Sequence, residues 1–200
     1  MSSHPSSSKE DLRLFLAIAI SQFVCAKSEK LQQKLRPLLP SHGVRWARLE
    51  QFHLTLKFLG NVPANDVPAL KKTVQHACAT LPQLPLRAQG LGFFPNNFSP
   101  RVFWAGVESE SKLLIEFQRQ LAAAVDRFTE KQDDQKFTAH ITLARFEKLP
   151  PYAANQLYKN INAGEFFGAW TAQEVELIES TLSPNASLYA ILEKFPLRNR

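Results

Sequence analysis

Two short segments of the chain decide its fold: Phe52-His53-Leu54-Thr55-Leu56-Lys57-Phe58-Leu59-Gly60 and Phe137-Thr138-Ala139-His140-Ile141-Thr142-Leu143-Ala144-Arg145. Around each histidine, polar and apolar residues alternate, which is the pattern of a half-buried β-strand. Because side chains two positions apart on a strand share a face, His53 and Thr55 lie on the same side. The same holds for His140 and Thr142. Each strand is therefore predicted to bury its aliphatic side and to present an imidazole and a hydroxyl group to a cleft.

A weak internal repeat surrounds these two segments. The stretch RLFLA at residues 13–17 resembles RVFWA at 101–105, an offset of 88 (101 − 13), and the two histidines lie 87 apart (140 − 53). Each time, the predicted order is strand, amphipathic helix, loop and strand. Two unrelated strands are the alternative. The shared offset favours a duplication, which predicts two lobes related by a pseudo-two-fold axis, with their His-x-Thr strands facing each other.

The remaining patterns are those of an α+β protein. Strands are predicted over residues 12–20, 52–59, 84–94, 101–108, 137–146, 174–181 and 187–195, the last two forming a hairpin around Ser183-Pro184-Asn185. Helices are predicted over residues 28–39, 66–81, 111–128 and 152–161. The first ten residues are rich in serine and are predicted to be a disordered tail before a single bilobal domain over 11–200.

Composition excludes several classes of protein. The chain has 200 residues, of which 44% are hydrophobic, so it is not a mostly disordered protein. No apolar run approaches the roughly 18 residues of a membrane helix, and the first ten residues lack the apolar centre of a secretory signal. The two cysteines cannot build a disulfide framework, so we expect a cytoplasmic protein. The net charge of +6 and pI near 9.4 favour an anionic partner such as a phosphate ester or RNA, or describe only a mildly basic surface.

Two facing His-x-Thr strands are suited to acid–base catalysis of phosphoryl transfer. A neutral imidazole can take a proton from an attacking water, and an imidazolium can give one to the leaving oxygen. The threonine hydroxyls can donate hydrogen bonds to the non-bridging phosphate oxygens. This chemistry needs no metal, and two histidines without a nearby acidic cluster supply fewer ligands than a zinc site uses. The alternative is that both histidines only pack within their strands.

The motifs H-L-T-L-K-F-L-G at 53–60 and H-I-T-L-A-R at 140–145 resemble those of the two-histidine (2H) phosphoesterase superfamily. Within it, the chain looks most like the LigT-like RNA 2′,3′-cyclic phosphodiesterases, also called the 2′-5′ RNA ligase family. The similarity runs from Leu12 to Leu197. It implies an α+β fold of two pseudo-symmetric lobes, each an antiparallel sheet backed by helices, with the active-site cleft between the lobes. It implies hydrolysis of an RNA or nucleoside 2′,3′-cyclic phosphate to a 2′-phosphomonoester, with no cofactor. One departure is Ala139, where the family often has proline before the histidine.

The resemblance also implies roles for individual residues. His53 is the proton donor to the leaving 3′ oxygen and His140 the proton acceptor from water, although the two motifs are too alike for the residues alone to decide this. Thr55, Thr142 and Arg145 bind the phosphate. Simple alternation places Arg145 on the wrong face of its strand, so it must reach the cleft from the strand end or past a bulge.

Three further residues are candidates for substrate binding. Lys57 shares the parity of His53 along the strand, which directs it to the cleft unless it is an ordinary surface lysine. Phe137 and Trp46 are candidates for stacking on a base, although most phenylalanines in this chain must belong to the core. The expected partner is RNA with a 2′,3′-cyclic phosphate end or a small cyclic nucleotide. We expect no membrane association and a monomeric protein.

Two other functions use the same residues. One is reversible 2′-5′ ligation of RNA, which reverses an acid–base transesterification. The other is a module that binds nucleotides or RNA ends without efficient turnover. The sequence has no P-loop of the G-x-x-x-x-G-K-[ST] type, so a ligase driven by ATP is not expected.

Overall fold

The computed structural model describes residues 11–129, 136–182 and 187–199. Their strands are β1 (Leu12–Ala19), β2 (Val44–Trp46), β3 (His53–Val62), β4 (Leu84–Phe94), β5 (Val102–Glu108), β6 (His140–Phe146), β7 (Phe166–Ala172), β8 (Glu174–Leu182) and β9 (Ser187–Pro196). Their α-helices are α1 (Gln22–Leu35), α2 (Val67–Thr80), α3 (Leu113–Val125) and α4 (Pro151–Asn160). No helix in these ranges is long and apolar enough to cross a membrane.

All nine strands belong to one sheet of order β7-β4-β5-β6-β3-β1-β8-β9, with β2 added to β6. Every neighbouring pair is antiparallel. The centre is the contact between β3 and β6, in which Leu54 lies opposite Ile141. Four strands of the main order lie on each side of this contact. These two half-sheets are the predicted lobes, and the α+β class is confirmed.

The strand pairing refines the internal repeat. On β1, Ala17 lies opposite Thr55, and on β5 Trp104 lies opposite Thr142. The offset between the flanking strands is therefore 87 (104 − 17), the same as between the histidines. The sequence match at an offset of 88 was one residue out of register. It aligned Ala17 with Ala105, which lies opposite the buried Ile141 rather than opposite a threonine.

Helix α1 begins at Gln22, six residues before the predicted start at 28. Ser21 caps it, since its hydroxyl oxygen accepts a hydrogen bond from the Val24 N–H group at 3.4 Å. The prediction was too short because the first buried residues, Val24 and Cys25, extend the apolar face beyond the leucine repeat that follows. At its other end the helix passes into a 3-10 turn over Arg36–Leu38, where proline cannot continue the α-helix.

The helices exchange between the two halves. Helix α1 follows β1 of the first half but packs against β7 of the second. Helix α3 follows β5 of the second half but packs against α2 and β3 of the first, with further contact to β4. One continuous hydrophobic core, which includes the buried stripe Leu114, Phe117, Leu121 and Val125 of α3, therefore joins both halves.

Some elements differ from the predictions. The predicted strand over 137–146 begins only at His140, and β2 and β7 were not predicted. Strand β2 has three residues, too few for an alternation to be recognised. In β7 the buried residues Phe167 and Gly168 are adjacent, which breaks the period of two. The predicted hairpin of β8 and β9 is confirmed, while the predicted tail 1–10 and the hairpin turn Ser183-Pro184-Asn185 lie outside the described residues.

Candidate active site

The central strand pair brings both His-x-Thr motifs onto one face of the sheet. Leu54 and Ile141 are fully buried opposite each other, on the side covered by the helices. Because the strands are antiparallel, His53 of β3 neighbours Thr142 of β6, and Thr55 neighbours His140. All four side chains are half-buried and line the same cleft. The structure therefore forms the four-residue centre that the repeat predicted.

Both imidazole rings are oriented by the backbone two residues before them. Nδ1 of His53 lies 2.8 Å from the carbonyl oxygen of Gln51, and Nδ1 of His140 lies 2.7 Å from that of Thr138. Since a carbonyl oxygen only accepts hydrogen bonds, each Nδ1 carries a hydrogen. Nε2 is then the nitrogen that can take or give a proton in the cleft.

Aromatic side chains hold both rings, a feature that local sequence patterns did not reveal. The His53 ring lies 4.9 Å from the ring of Phe15 and 5.3 Å from that of Tyr189. The His140 ring lies 5.0 Å from Phe94 and 6.2 Å from Trp104. Strand parity on β1 could have directed Phe15 to the cleft face, whereas the position of Tyr189 depends on the distant pairing of β8 with β1.

This environment disfavours the charged form of each histidine. Burial lowers the pKa of His53 to about 4, against the opposing effect of the Gln51 carbonyl, and the charges of His140 and Arg145 lower it further. Burial also lowers the pKa of His140, where the Thr138 carbonyl opposes and Arg145 adds to the effect. Both imidazoles are therefore neutral at pH 7 in the free protein. An anion bound between them would favour the imidazolium form.

A β-bulge follows each motif at the equivalent position. Leu56 is the extra residue of β3 against β1, and Leu143 is the extra residue of β6 against β5. Past a bulge the alternation shifts by one residue. Arg145 therefore lines the cleft despite its odd spacing from His140, as the bulge alternative required. The equivalent residue of the first half, 87 positions earlier, is Phe58, which also lines the cleft.

The cleft has a volume of about 1230 Å³ and a strongly basic lining. It contains all eight residues selected from the sequence: His53, His140, Thr55, Thr142, Arg145, Lys57, Phe137 and Trp46. Four cations that were not selected also line it: Arg13, Arg45, Arg48 and Lys136. None of the described residues lining the cleft is acidic. The lining therefore favours an anionic substrate much larger than a single phosphate.

The cysteines and the two other histidines of the described residues lie elsewhere. Cys25 and Cys78 are buried and unpaired, and His42 and His76 are exposed. Over residues 11–129, 136–182 and 187–199, no three or more side chains of His, Cys, Asp or Glu are grouped so that they could hold a metal ion.

Comparison with known proteins identifies the family. The model of the 2′-5′ RNA ligase superfamily matches residues 24–183. The chain belongs to this superfamily. A relative within it, the RNA 2′,3′-cyclic phosphodiesterase of Thermus thermophilus, is 34% identical over 196 residues, covering 94% of this chain and 91% of the relative. The protein of the same name from Archaeoglobus fulgidus is 30% identical over 187 residues, covering 92% and 99%.

Solved structures share the fold of this chain. The crystal structure of a Thermus thermophilus protein, TT0787, matches with a TM-score of 0.78 and 30% identity, covering 94% of this chain and 99% of the other. The crystal structure of Escherichia coli LigT complexed with 3′-AMP matches with a TM-score of 0.76 and 24% identity, covering 94% and 99%. The predicted family and fold class are thus confirmed.

Proposed function

We propose that this protein hydrolyses 2′,3′-cyclic phosphodiester ends of RNA to 2′-phosphomonoesters, by acid–base catalysis between two histidines and without a metal ion. The observation that carries the proposal is the antiparallel pairing of β3 with β6, which sets two imidazoles and two hydroxyls around one point of a cationic cleft. The relatives named RNA 2′,3′-cyclic phosphodiesterase, similar over more than 90% of this chain, support the same activity.

The cyclic phosphate binds between the two histidines. Thr55 and Thr142 donate their hydroxyl hydrogens to the two non-bridging oxygens, one from each strand. Arg145, which the bulge at Leu143 directs to the cleft, balances the charge that develops on these oxygens. Charge balance by a fixed guanidinium group removes the need for a metal ion in this role.

His140 takes a proton from the attacking water through Nε2 while the water oxygen bonds to phosphorus. The bond between phosphorus and O3′ breaks, and His53 gives its Nε2 proton to that oxygen. The product keeps the phosphate on the 2′ oxygen. This order of roles follows from the family resemblance. Since both imidazoles are neutral in the free protein, the anionic substrate must bring one of them to its charged form on binding.

The rest of the lining is suited to the RNA strand that carries the cyclic end. Arg13, Arg45 and Lys136 extend the positive charge beyond the phosphate centre. Trp46 and Phe137 are half-buried aromatic residues at the same cleft, where an unpaired base can stack. We propose that the protein acts on these ends as a monomer.

The test is an assay of a short RNA that bears a 2′,3′-cyclic phosphate, in excess EDTA, with His140→Ala as control. We expect the wild-type protein alone to produce an RNA 2′-phosphate. Turnover that appears only after a divalent metal is added would overturn the metal-free mechanism. No turnover with or without metal would overturn the activity and favour a binding module. A 3′-phosphate product would show that the 2′ oxygen, and not the 3′ oxygen, is the leaving group.

A further inference from the structure

The two bulges leave backbone carbonyl groups outside the regular ladder, and a glutamine side chain binds each of them. The Leu143 carbonyl accepts a hydrogen bond from Gln32 Nε2 at 2.8 Å and another from the Ala47 N–H group at 2.9 Å. The Leu56 carbonyl accepts one from Gln118 Nε2 at 3.0 Å. Each hydrogen bond therefore ends on the extra residue that directly follows a catalytic threonine.

The two glutamines occupy corresponding places in the repeat. Gln32 lies on α1 and Gln118 on α3, the two helices that exchange between the halves. Gln32, on the helix that follows β1 of the first half, binds the bulge of β6 in the second half. Gln118, on the helix that follows β5 of the second half, binds the bulge of β3 in the first half. The same side chain thus makes the same contact twice, although the helices share little identity otherwise.

We infer that Gln32 and Gln118 are positioning residues of the active site. Each holds a bulge in place, and the bulge determines which side chain of the strand beyond it faces the cleft. Gln32 thereby directs Arg145, and Gln118 directs Phe58. The inference deepens the function proposed above and rests on it.

The burial of Gln32 supports this role. The residue is 2% exposed, and its amide group donates to the carbonyls of both Leu143 and Ala47. Loss of the glutamine would leave the Leu143 carbonyl with the Ala47 N–H group as its donor and would remove a donor from the Ala47 carbonyl. Because each lost hydrogen bond to a buried carbonyl is unfavourable, this would weaken the bulge relative to a regular strand. A shift of one residue in β6 would turn Arg145 to the opposite face.

The first test is a double-mutant cycle with Arg145. We expect Gln32→Met to lower kcat/KM for a cyclic-phosphate RNA by about 10- to 100-fold, since displacements near 1 Å are costly in an active site. In an Arg145→Ala background the same change should lower it by less than about 3-fold, because the group it positions is already gone. Gln33→Met, at the neighbouring exposed position of α1, is the matched control and should leave the activity unchanged.

The second test does not need turnover. Calorimetric titration with inorganic phosphate should show weaker binding to Gln32→Met than to wild type or Gln33→Met. A wild-type protein that binds phosphate but does not hydrolyse the RNA would contradict the proposed function and leave the positioning role to be decided by this titration. Equal losses of kcat/KM in both backgrounds, or unchanged phosphate affinity in a folded Gln32→Met protein, would overturn the inference.

Gln118→Met provides the same cycle at a half-buried site, in case Gln32→Met does not fold. Its partner is Phe58→Ala rather than Arg145→Ala. We expect the effect of Gln118→Met on kcat/KM to disappear in the Phe58→Ala background and to persist in the Arg145→Ala background. The reverse pattern, or additivity in both, would contradict the assignment.

Discussion

Arg145 and Phe58 are equivalent residues of the repeat, each placed one bulge beyond a histidine motif and each lining the cleft. The two histidines and the two threonines are matched across the pseudo-two-fold axis, but this pair is not. One side of the centre therefore carries a fixed positive charge, and the other carries an aromatic ring. We therefore expect the cleft to bind an anion that has a base attached in one preferred orientation.

Loss of the positive charge at Arg145 should impair phosphate binding and turnover. We expect Arg145→Ala to lower kcat/KM for a cyclic-phosphate RNA by about 10²- to 10³-fold, the usual effect of removing one group that stabilises a charged transition state. Arg145→Lys should recover part of it. Because Arg145 is exposed, the melting temperature should change little. Activity of Arg145→Ala within a few-fold of wild type would remove this residue from the mechanism.

Either histidine should be essential for turnover but not for folding. We expect His53→Ala and His140→Ala each to lower kcat by at least about 10²- to 10⁴-fold, the contribution typical of general acid–base catalysis. Both rings lie on the cleft side of the sheet, so circular dichroism should show a folded protein. A folded variant with near-normal kcat would contradict the two-histidine mechanism.

The pH optimum of kcat/KM should lie on the acid side of the usual histidine pKa. The pKa values of both histidines lie below the usual 6.5 in the free protein. A reaction that needs one neutral and one charged imidazole is fastest between these two pKa values. We therefore expect the bell-shaped profile of kcat/KM to have its optimum below pH 6.5. The profile of kcat should lie at higher pH, since the bound anion raises both pKa values, and coincident profiles would count against this coupling.

Binding of an anion should take up protons at neutral pH. A phosphate between the two neutral rings favours the imidazolium form, so part of a proton is bound with each anion. Calorimetric titration with inorganic sulfate, whose own charge does not change near pH 7, in two buffers of different ionisation enthalpy, measures this number. It should be positive for the wild type and smaller for His53→Asn. A heat that does not depend on the buffer would contradict the expected uptake.

The half-buried His53 should make the protein less stable in acid. Its folded pKa of about 4 lies below the unfolded value near 6.5, so the unfolded chain binds more protons between these pH values. The free energy of unfolding should therefore fall by roughly 3 kcal/mol from this group as the pH decreases from 6.5 to 4. Denaturant unfolding of wild type and His53→Asn across this range provides the comparison. Parallel curves would show that His53 is not the cause.

The local patterns predicted those elements whose alternation is regular. Strand β4 has the bounds predicted over 84–94, since its first residues alternate cleanly between buried and exposed. The His-x-Thr faces were predicted for the same reason, because parity along a strand is a local property. The local pattern could not decide how Arg145 reaches the cleft. A bulge depends on pairing with another strand and leaves no pattern in the sequence of the bulged strand itself.

What the patterns missed is set by contacts between distant parts of the chain. Tyr189 reaches His53 only through the pairing of β9 with β8 and of β8 with β1. In the sequence Gln32 is an ordinary polar residue of α1, and its burial depends on the packing of this helix against the other half. The short β2 brings Arg45 to the cleft through its pairing with β6. None of these relationships has a period that a local pattern could reveal.

The exchange of α1 and α3 has a consequence for the origin of the molecule. A single half, expressed alone, would expose the part of its sheet that the helix of the other half covers, and its own exchanged helix would lose most of its packing surface. Two copies could cover each other's exposed sheet surface by exchanging helices, which is the arrangement of a domain-swapped dimer. The chain has the arrangement of such a dimer joined into one polypeptide, with the two His-x-Thr motifs at the junction of its halves.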